Sequence, residues 1–319
     1  MRLLRPATLL LLTSLRGLAG ELAVPDDASI QLALRLLAKQ HKAAYAVTTP
    51  AGNLELARLL IDAASTDAAV RYAELSEGER LAIRGLDLAL AQSALAKRVL
   101  AYDVDEADAH LALIKAATAT FKTDEQLDNV VQAVAQCYAV LEADARTDKE
   151  APLVALATAV SRKLKDKDRQ QALKDQLVTL KAKLAASTKA QDELQAKILA
   201  WAVPKQGTQV GNGECTDFVY DAIELNGGQR VEGYTMGRRL RPGETPRNGD
   251  LLRLQNVELP DGTVTFPNHV ALIVKVVTPT KFECLHSNWV NVKTVQPITF
   301  DLTKPLAGTW TVYRARRAK

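Results

Sequence analysis

The chain contains few of the residues on which several protein classes depend. Its 319 residues include 3 cysteines, 12 prolines and 16 glycines, and only 5% are aromatic. Three cysteines are too few to staple a chain of this length, which excludes a disulfide-built scaffold. Glycine and proline are too scarce for a collagen-like or low-complexity protein. The formal net charge of +4 is small and gives no whole-chain argument for a nucleic-acid binder.

What the chain does contain is apolar surface. Hydrophobic residues make up 47% of the sequence and charged residues 24%. A chain of this composition buries enough surface to offset its ordering entropy, so long disordered stretches are excluded. The length allows one or two ordinary domains.

The first nineteen residues have the pattern of an export signal. Basic residues in Met1–Arg5 precede an apolar stretch of about ten residues, and Gly17 and Ala19 supply small side chains for cleavage after Ala19. Because Glu21 and not cysteine follows, no lipid anchor is expected. No later segment is apolar enough to span a bilayer. We therefore expect an exported protein, periplasmic or extracellular, with residues 1–19 as its signal peptide.

Residues 27–200 are predicted to form helix after helix. The segment is rich in Ala, Leu, Lys, Glu and Gln, and its apolar positions recur at steps of three and four. The predicted breaks suggest antiparallel helix pairs of tetratricopeptide-like size. They fall at Thr48–Gly52, Ser76–Gly78, Tyr102–Asp105 and Ala145–Lys149.

Part of this helical region resembles a known kind of array. In "AAVRYAELSEGERLAIRGLDLALAQSALAKRVLAYDVDEADA", an A-A-x-R-Y-x-x-L helix, a D-x-x-x-A helix and a Y-D-V-D turn follow one another. This order is similar to Ala-rich helical arrays of exported bacterial proteins, over about Leu54 to Ala185. The resemblance implies surfaces for packing or for a protein partner, and it carries no chemistry.

The sequence changes character near Trp201, where glycines become frequent and β-type runs follow. Residues 201–319 are therefore predicted to form an α+β domain with a helix first and an antiparallel sheet after it. The predicted strand runs are Val270–Val277, Lys281–Leu285, Val290–Val295 and Thr309–Tyr313.

This domain carries a candidate catalytic constellation. Cys215 begins an amphipathic helix, where the helix dipole and free N–H groups favour a thiolate. His269 opens an apolar strand, and His286 and Asn288 lie two residues apart, so on a strand they share a face. A thiol, an imidazole and a polar orienting group are the minimum for acyl transfer by a cysteine nucleophile.

The order of four motifs adds a resemblance to a family. "GNGECTDFVYDAI", "RNGDLLRL", "NHVALIVKV" and "LHSNW" occur in the order found in CHAP domains, which belong to the NlpC/P60-type papain-like amidohydrolases. The resemblance covers about Trp201 to Arg314. It implies a papain-like fold, Cys215 as nucleophile, His269 as base, and a peptidoglycan peptide or another amide polymer as substrate. It implies no metal and no cofactor.

The sequence departs from the CHAP pattern at two positions. His286 replaces the Glu that orients the base in CHAP domains, although NlpC/P60 relatives often have His there, and Asn288 is the alternative orienting residue. Glu214 replaces a Gln before the nucleophile, and an ionised carboxylate cannot donate to an oxyanion.

These departures keep a second hypothesis open. In this hypothesis residues 201–319 form an inactive recognition module, and the helical array carries the function by binding a partner. Asp250 is interpreted as a turn residue, and Cys284 as a buried inert thiol in preference to a disulfide with Cys215. The basic tail from Arg314 is too short to indicate nucleic-acid binding.

Overall fold

The computed structural model describes residues 22–144, 146–229, 233–234, 236–241, 244–259, 262, 267–289 and 291–318. The predicted signal peptide and its cleavage site lie outside the described residues. The chain divides into two compact units between Leu184 and Ala185.

Helices make up the first unit, and most of them begin at a capping side chain. Their bounds are α1 (Asp27–Gln40), α2 (Lys42–Tyr45), α3 (Pro50–Asp62), α4 (Ala68–Arg84), α5 (Leu88–Ala101), α6 (Glu106–Thr120), α7 (Asp124–Ala143), α8 (Glu150–Lys163) and residues 167–184 of α9 (Lys167–Ala202). A side-chain oxygen before the helix accepts a backbone N–H of the first turn and so satisfies a donor that the helix leaves free. These caps are Asp26, Thr49, Asp67, Asp87, Asp105 and Thr123.

One continuous apolar core runs through this unit. Helix α4 packs against α1, α3 and α5, while α6, α7 and α8 pack against one another. Many of the buried positions are alanines, which allow the helix backbones to approach closely. This packing confirms the helical character of the region, and the tetratricopeptide-like repeat stays a prediction. No helix in the described part of the chain has both the length and the apolar character needed to cross a bilayer.

The predicted break at Ser76–Gly78 is wrong, because α4 runs through it. Gly78 is buried against α3, and a Cβ added there would lie 2.6 Å from Cγ1 of Ile61. The glycine therefore serves close helix packing and not a turn.

The second unit combines two helical segments with a sheet. The helical segments are residues 185–202 of α9 and α10 (Cys215–Glu224). Among the described residues the sheet has the order β1-β6-β2-β3-β4-β5, and every neighbouring pair is antiparallel. The strands are β1 (Arg238–Arg239), β2 (Leu251–Glu258), β3 (His269–Thr278), β4 (Lys281–His286), β5 (Gln296–Asp301) and β6 (Ala307–Arg314).

The two faces of this sheet have separate apolar clusters. On one face, Val270 and Leu272 of β3 pack with α10 and with Leu194, Ile198 and Ala202 of α9. On the other face, Ala271 and Ile273 pack with residues of β2, β4, β5 and β6. The end of α9 shares the core of the sheet. The structural division therefore falls between residues 184 and 185, whereas the sequence pattern placed it at Trp201.

The strand predicted over Val290–Val295 is also wrong. In the described part of this segment only isolated bridges occur, and β5 begins at Gln296. Asn288 and Asn291 have φ values of 55° and 64°. This left-handed backbone interrupts the alternation that a strand requires.

Candidate active site

Cys215 is the first residue of α10, and the loop before it is folded tightly onto the helix. Gly213 has a φ of 80°, and a Cβ added there would lie 2.5 Å from Cβ of Lys293. The backbone N–H of Asn212 donates to Oδ2 of Asp217 at 2.8 Å, which joins the loop to the first helical turn. Together, the Asp217 contact and the close approach of Lys293 fix where the helix begins and so where Cys215 lies.

The Cys215 thiol is almost enclosed, with 7% of the residue exposed. Burial raises the pKa of the thiol, the backbone N–H groups of Val270 and Thr216 lower it, and the Glu214 carboxylate raises it further. Burial has the largest effect and the net direction is upward. The expectation of a thiolate favoured by the helix N-terminus is therefore corrected, because desolvation outweighs the backbone donors.

His269 and His286 form a buried imidazole pair. Nε2 of His269 lies 3.1 Å from Nδ1 of His286, and each residue is 1% exposed. Burial, followed by the charge of His286, lowers the pKa of His269 to about 3. Burial lowers the pKa of His286 to about 4. Both rings are consequently neutral at neutral pH.

The free nitrogen of His269 is the one available to the thiol. Since Nε2 is engaged by His286, Nδ1 is the remaining nitrogen that could take a proton from Cys215. The backbone N–H of Val270 lowers the pKa of the thiol, and Val270 is the residue after His269. Cys215 therefore lies at the start of β3. Among the hydrogen bonds of the described residues, none joins the thiol to either ring. Such catalytic contacts often tighten only in the complex with substrate.

Aromatic side chains enclose the imidazole pair. The ring of Trp289 lies 5.0 Å from that of His269 and 5.3 Å from that of His286, measured between centroids. Phe300 packs edge-on against His286 at 6.3 Å and against Trp289 at 5.7 Å. These rings exclude water and account for the desolvation that keeps the imidazoles neutral.

Asn288 faces Glu214 and not His269. Its Nδ2 donates to Oε2 of Glu214 at 2.5 Å, and Nζ of Lys293 lies 3.2 Å from Oε1 of the same carboxylate. The Ser287 hydroxyl donates to the Glu214 carbonyl oxygen at 2.8 Å. Of the two candidate orienting residues, the structure therefore brings His286 to His269 and uses Asn288 to hold the residue before the nucleophile.

Asp250 is completely buried in an ion-pair network of its own. Its carboxylate accepts two hydrogen bonds from Arg314, at 2.9 and 2.8 Å, and one from Gln195 at 2.6 Å. The Arg247 backbone N–H donates to it at 2.8 Å. These contacts join α9 and β6 to the turn that precedes β2, so the carboxylate has a structural role.

All three cysteines are free and buried. Cys284 packs on the sheet face opposite the cluster that contains Cys215, so the structure has no Cys215–Cys284 disulfide. Burial raises the pKa of Cys284 and raises that of Cys137 to about 12. Within the described residues, no group of three or more His, Cys, Asp and Glu side chains is arranged to hold a metal ion.

Sequence reasoning assigned no role to Ser287, Trp289 or Lys293. The first two lie inside the LHSNW motif, so reading that motif as one structural group could have found them. Lys293 gave no local signal, because its carboxylate partner is 79 residues away in the chain.

Comparison with known proteins supports a papain-like fold for this unit. Residues 181–319 match the family model described as the AIM3/BBC1 Cysteine proteinase-fold domain. No curated protein and no solved structure matches the chain. The family match leaves the residues before 181 uncovered, and it supports neither the CHAP and NlpC/P60 families specifically nor a bacterial origin.

Proposed function

From a cysteine proteinase fold in the second unit, we propose that the protein is a cysteine amidase or peptidase with Cys215 as nucleophile and His269 as base. One observation carries this proposal. The Cys215 thiol, at the N-terminus of α10, meets the first residues of β3, where the His269 ring is bonded to His286. These are the three groups that acyl transfer requires.

The proposed reaction starts from a neutral thiol and a neutral imidazole. Nδ1 of His269 takes the Cys215 proton as sulfur attacks the amide carbonyl, and Nδ1 of His286 accepts a hydrogen bond from the Nε2–H of the imidazolium so formed. The imidazolium then protonates the leaving amine, and water activated by His269 hydrolyses the thioester. The Cys215 backbone N–H is the proposed oxyanion donor, since the Glu214 carboxylate can only accept.

The substrate and the location are proposals that rest on the sequence. The CHAP-like motif order favours a peptide of peptidoglycan or another amide polymer, and the N-terminal pattern favours export. The helical unit would position the enzyme or bind a protein partner.

A second candidate is a non-catalytic interaction protein, in which the helical unit binds a partner and the sheet domain is a recognition module. The raised pKa of Cys215 favours it, because a resting thiol is a poor nucleophile. Glu214 favours it too, since a carboxylate stands where an oxyanion donor is expected.

The rate of iodoacetamide labelling at Cys215, measured against pH, separates the two candidates. An activated pair predicts labelling that slows when His269→Ala removes the base. His41→Ala, in the first unit, is the control and should leave the rate unchanged. A rate that is the same with and without His269 would contradict the catalytic proposal. Hydrolysis of a panel of amide substrates then tests turnover directly.

A further inference from the structure

Arg253 lies on the same face of the sheet as the candidate nucleophile. In the antiparallel ladder its partner is Val270, and directly opposite residues point to one face. The Val270 side chain packs in the cluster that contains α10 and Cys215, and its backbone N–H acts on the thiol. Arg253 therefore lies one strand away from Val270, the residue whose backbone N–H lowers the pKa of the thiol.

The contacts of Arg253 fix the position of its guanidinium but provide no negative charge to neutralise it. The guanidinium stacks over Tyr234 with 5.2 Å between its central carbon and the ring centroid. One terminal nitrogen donates to Oδ1 of Asn268 at 2.7 Å. The Nε atom is buried and has no hydrogen-bond partner. In the described part of the chain, no carboxylate forms an ion pair with this side chain.

Two other arginines of this domain, both buried, are neutralised by carboxylates. Arg238 pairs with Glu244 at 2.6 Å, and Arg314 pairs with Asp250 at 2.8 Å. A cation that is partly removed from water without a counter-ion is costly, and fixed guanidinium groups of this kind are suited to bidentate recognition of carboxylates. Arg253 therefore has the character of an anion-binding group.

Tyr220 of α10 connects this cation to the thiol. Burial has the largest effect on Tyr220 and raises the pKa of its hydroxyl, and the charges of Tyr234 and Cys215 raise it further, whereas the charge of Arg253 lowers it. The pKa of the Tyr220 hydroxyl thus depends on both the thiol and the guanidinium. A molecule bound at Cys215 would have the guanidinium within reach.

We propose that Arg253 is a specificity-determining residue, which binds a carboxylate of the substrate beside the amide attacked by Cys215. The inference rests on the proposed function for the identity of the nucleophile. The expected substrate is a peptide in which the residue next to the scissile bond bears a side-chain or a terminal carboxylate. Tyr234 and Asn268 position the guanidinium for this contact.

Two alkylating reagents of similar size test the proposal without requiring turnover. Iodoacetate carries a carboxylate, and iodoacetamide is its neutral counterpart. Relative to a free cysteine in solution, wild-type Cys215 should favour iodoacetate, and Arg253→Gln should reduce this preference about tenfold, as expected for loss of a charge-assisted hydrogen bond. Arg253→Lys, which keeps the charge and loses the fork, should retain part of it.

The control is Lys275→Gln, which removes a cation from the neighbouring strand β3. Lys275 is exposed and pairs with Glu283 at 2.7 Å, so the preference should be unchanged. Circular dichroism and urea unfolding establish whether each variant is folded. If Arg253→Gln does not fold, Arg253→Met is used in its place. An equal preference in wild type and variant would overturn the proposal. Failure of both reagents to reach Cys215 would overturn it as well, because a substrate site must be reachable.

Protection of Cys215 from iodoacetamide distinguishes the two carboxylate sources. The probes are acetyl-Ala-Glu-Ala-amide, acetyl-Ala-Gln-Ala with a free carboxyl terminus, and acetyl-Ala-Gln-Ala-amide. Better protection by the Glu-containing amide indicates that Arg253 binds a side-chain carboxylate. Better protection by the peptide with a free carboxyl terminus indicates a terminal carboxylate. Equal protection by all three would contradict the proposal. A carboxylate preference that depends on Arg253 in a protein without hydrolase activity would leave the anion site standing while the catalytic proposal fails.

Discussion

Nε2 of His269 and Nδ1 of His286 lie 3.1 Å apart in a site from which water is excluded. Since both rings are neutral, one of the two nitrogens carries the shared proton and the other accepts it. Only the arrangement with the proton on His269 leaves its Nδ1 free to accept from a thiol. The pair therefore acts as a base only if His286 is the acceptor, which makes the second histidine an orienting group.

The same pair predicts that stability depends on pH. The pKa values of about 3 and 4 lie below the unfolded value of about 6.5, so the unfolded chain binds more protons between these limits. The stability that the neutral pair contributes is fully present above about pH 6.5 and is lost as pH falls. The loss approaches about 1.4 kcal/mol per pH unit for each histidine. Urea unfolding at pH 7, 6, 5 and 4 measures it.

His286→Gln is the informative variant for this slope. It should flatten the decline below pH 6.5, because one buried titrating group has been removed. His41→Gln, at the end of α1, should keep the wild-type slope. Stability that does not change between pH 7 and pH 4 in the wild type would show that the pair is not buried and neutral.

The three cysteines should label in a fixed order in the native protein. Cys215 retains 7% exposure, whereas Cys137 and Cys284 are 0% and 1% exposed and have thiol pKa values raised by burial. We expect iodoacetamide to modify Cys215 first and the other two only after unfolding. Peptide mapping by mass spectrometry identifies the modified residue. Early modification of Cys284 would place it, and not Cys215, at the reachable surface.

Features set by short stretches of sequence could be predicted. The predicted break at Tyr102–Asp105 lies between α5 and α6, where the Asp105 side chain caps α6 through a contact between residues three apart. Cys215 at the start of a helix and His269 at the start of a strand followed from the amphipathic and β-type runs after them.

Features set by distant contacts could not be predicted. Whether Asn288 faces His269 or Glu214 depends on a contact across 74 residues. Gly78 was interpreted as a break because its packing against Ile61 is not visible locally. The thiolate expected from helix position alone was wrong because burial depends on the whole domain.

The buried carboxylate of Asp250 should matter for stability and not for thiol chemistry. Asp250→Asn removes the charge that compensates Arg314, and an unpaired buried cation costs about 3 kcal/mol or more. Urea unfolding should show this loss, while Asp192→Asn, in the exposed pair with Arg247, should cost under about 1 kcal/mol. A change in the Cys215 labelling rate without loss of stability would instead assign Asp250 to the site.

Substitutions at two glycines of the second unit distinguish the cost of steric crowding from the cost of backbone strain. Gly207 and Gly213 have φ values of 78° and 80°, but only at Gly213 would a Cβ meet another residue, Lys293. Gly207→Ala should cost about 1 kcal/mol through the backbone alone. Gly213→Ala should cost more and should alter Cys215 labelling, because the loop must move. Equal costs in urea unfolding would show that the Lys293 contact does not constrain the loop.

Glu214→Gln tests whether the residue before the nucleophile suppresses its reactivity. The Glu214 carboxylate contributes to the raised pKa of Cys215, so its removal should move the pH profile of iodoacetamide labelling to lower pH. The new amide still accepts from Asn288 and also supplies an oxyanion donor, so an active enzyme should turn over faster. Glu283→Gln, on β4, removes an exposed carboxylate and should leave the profile in place. A profile that stays in place or moves to higher pH in Glu214→Gln would mean that this carboxylate serves only to fix the loop through Asn288 and Lys293, and the raised pKa of Cys215 would then be due to burial.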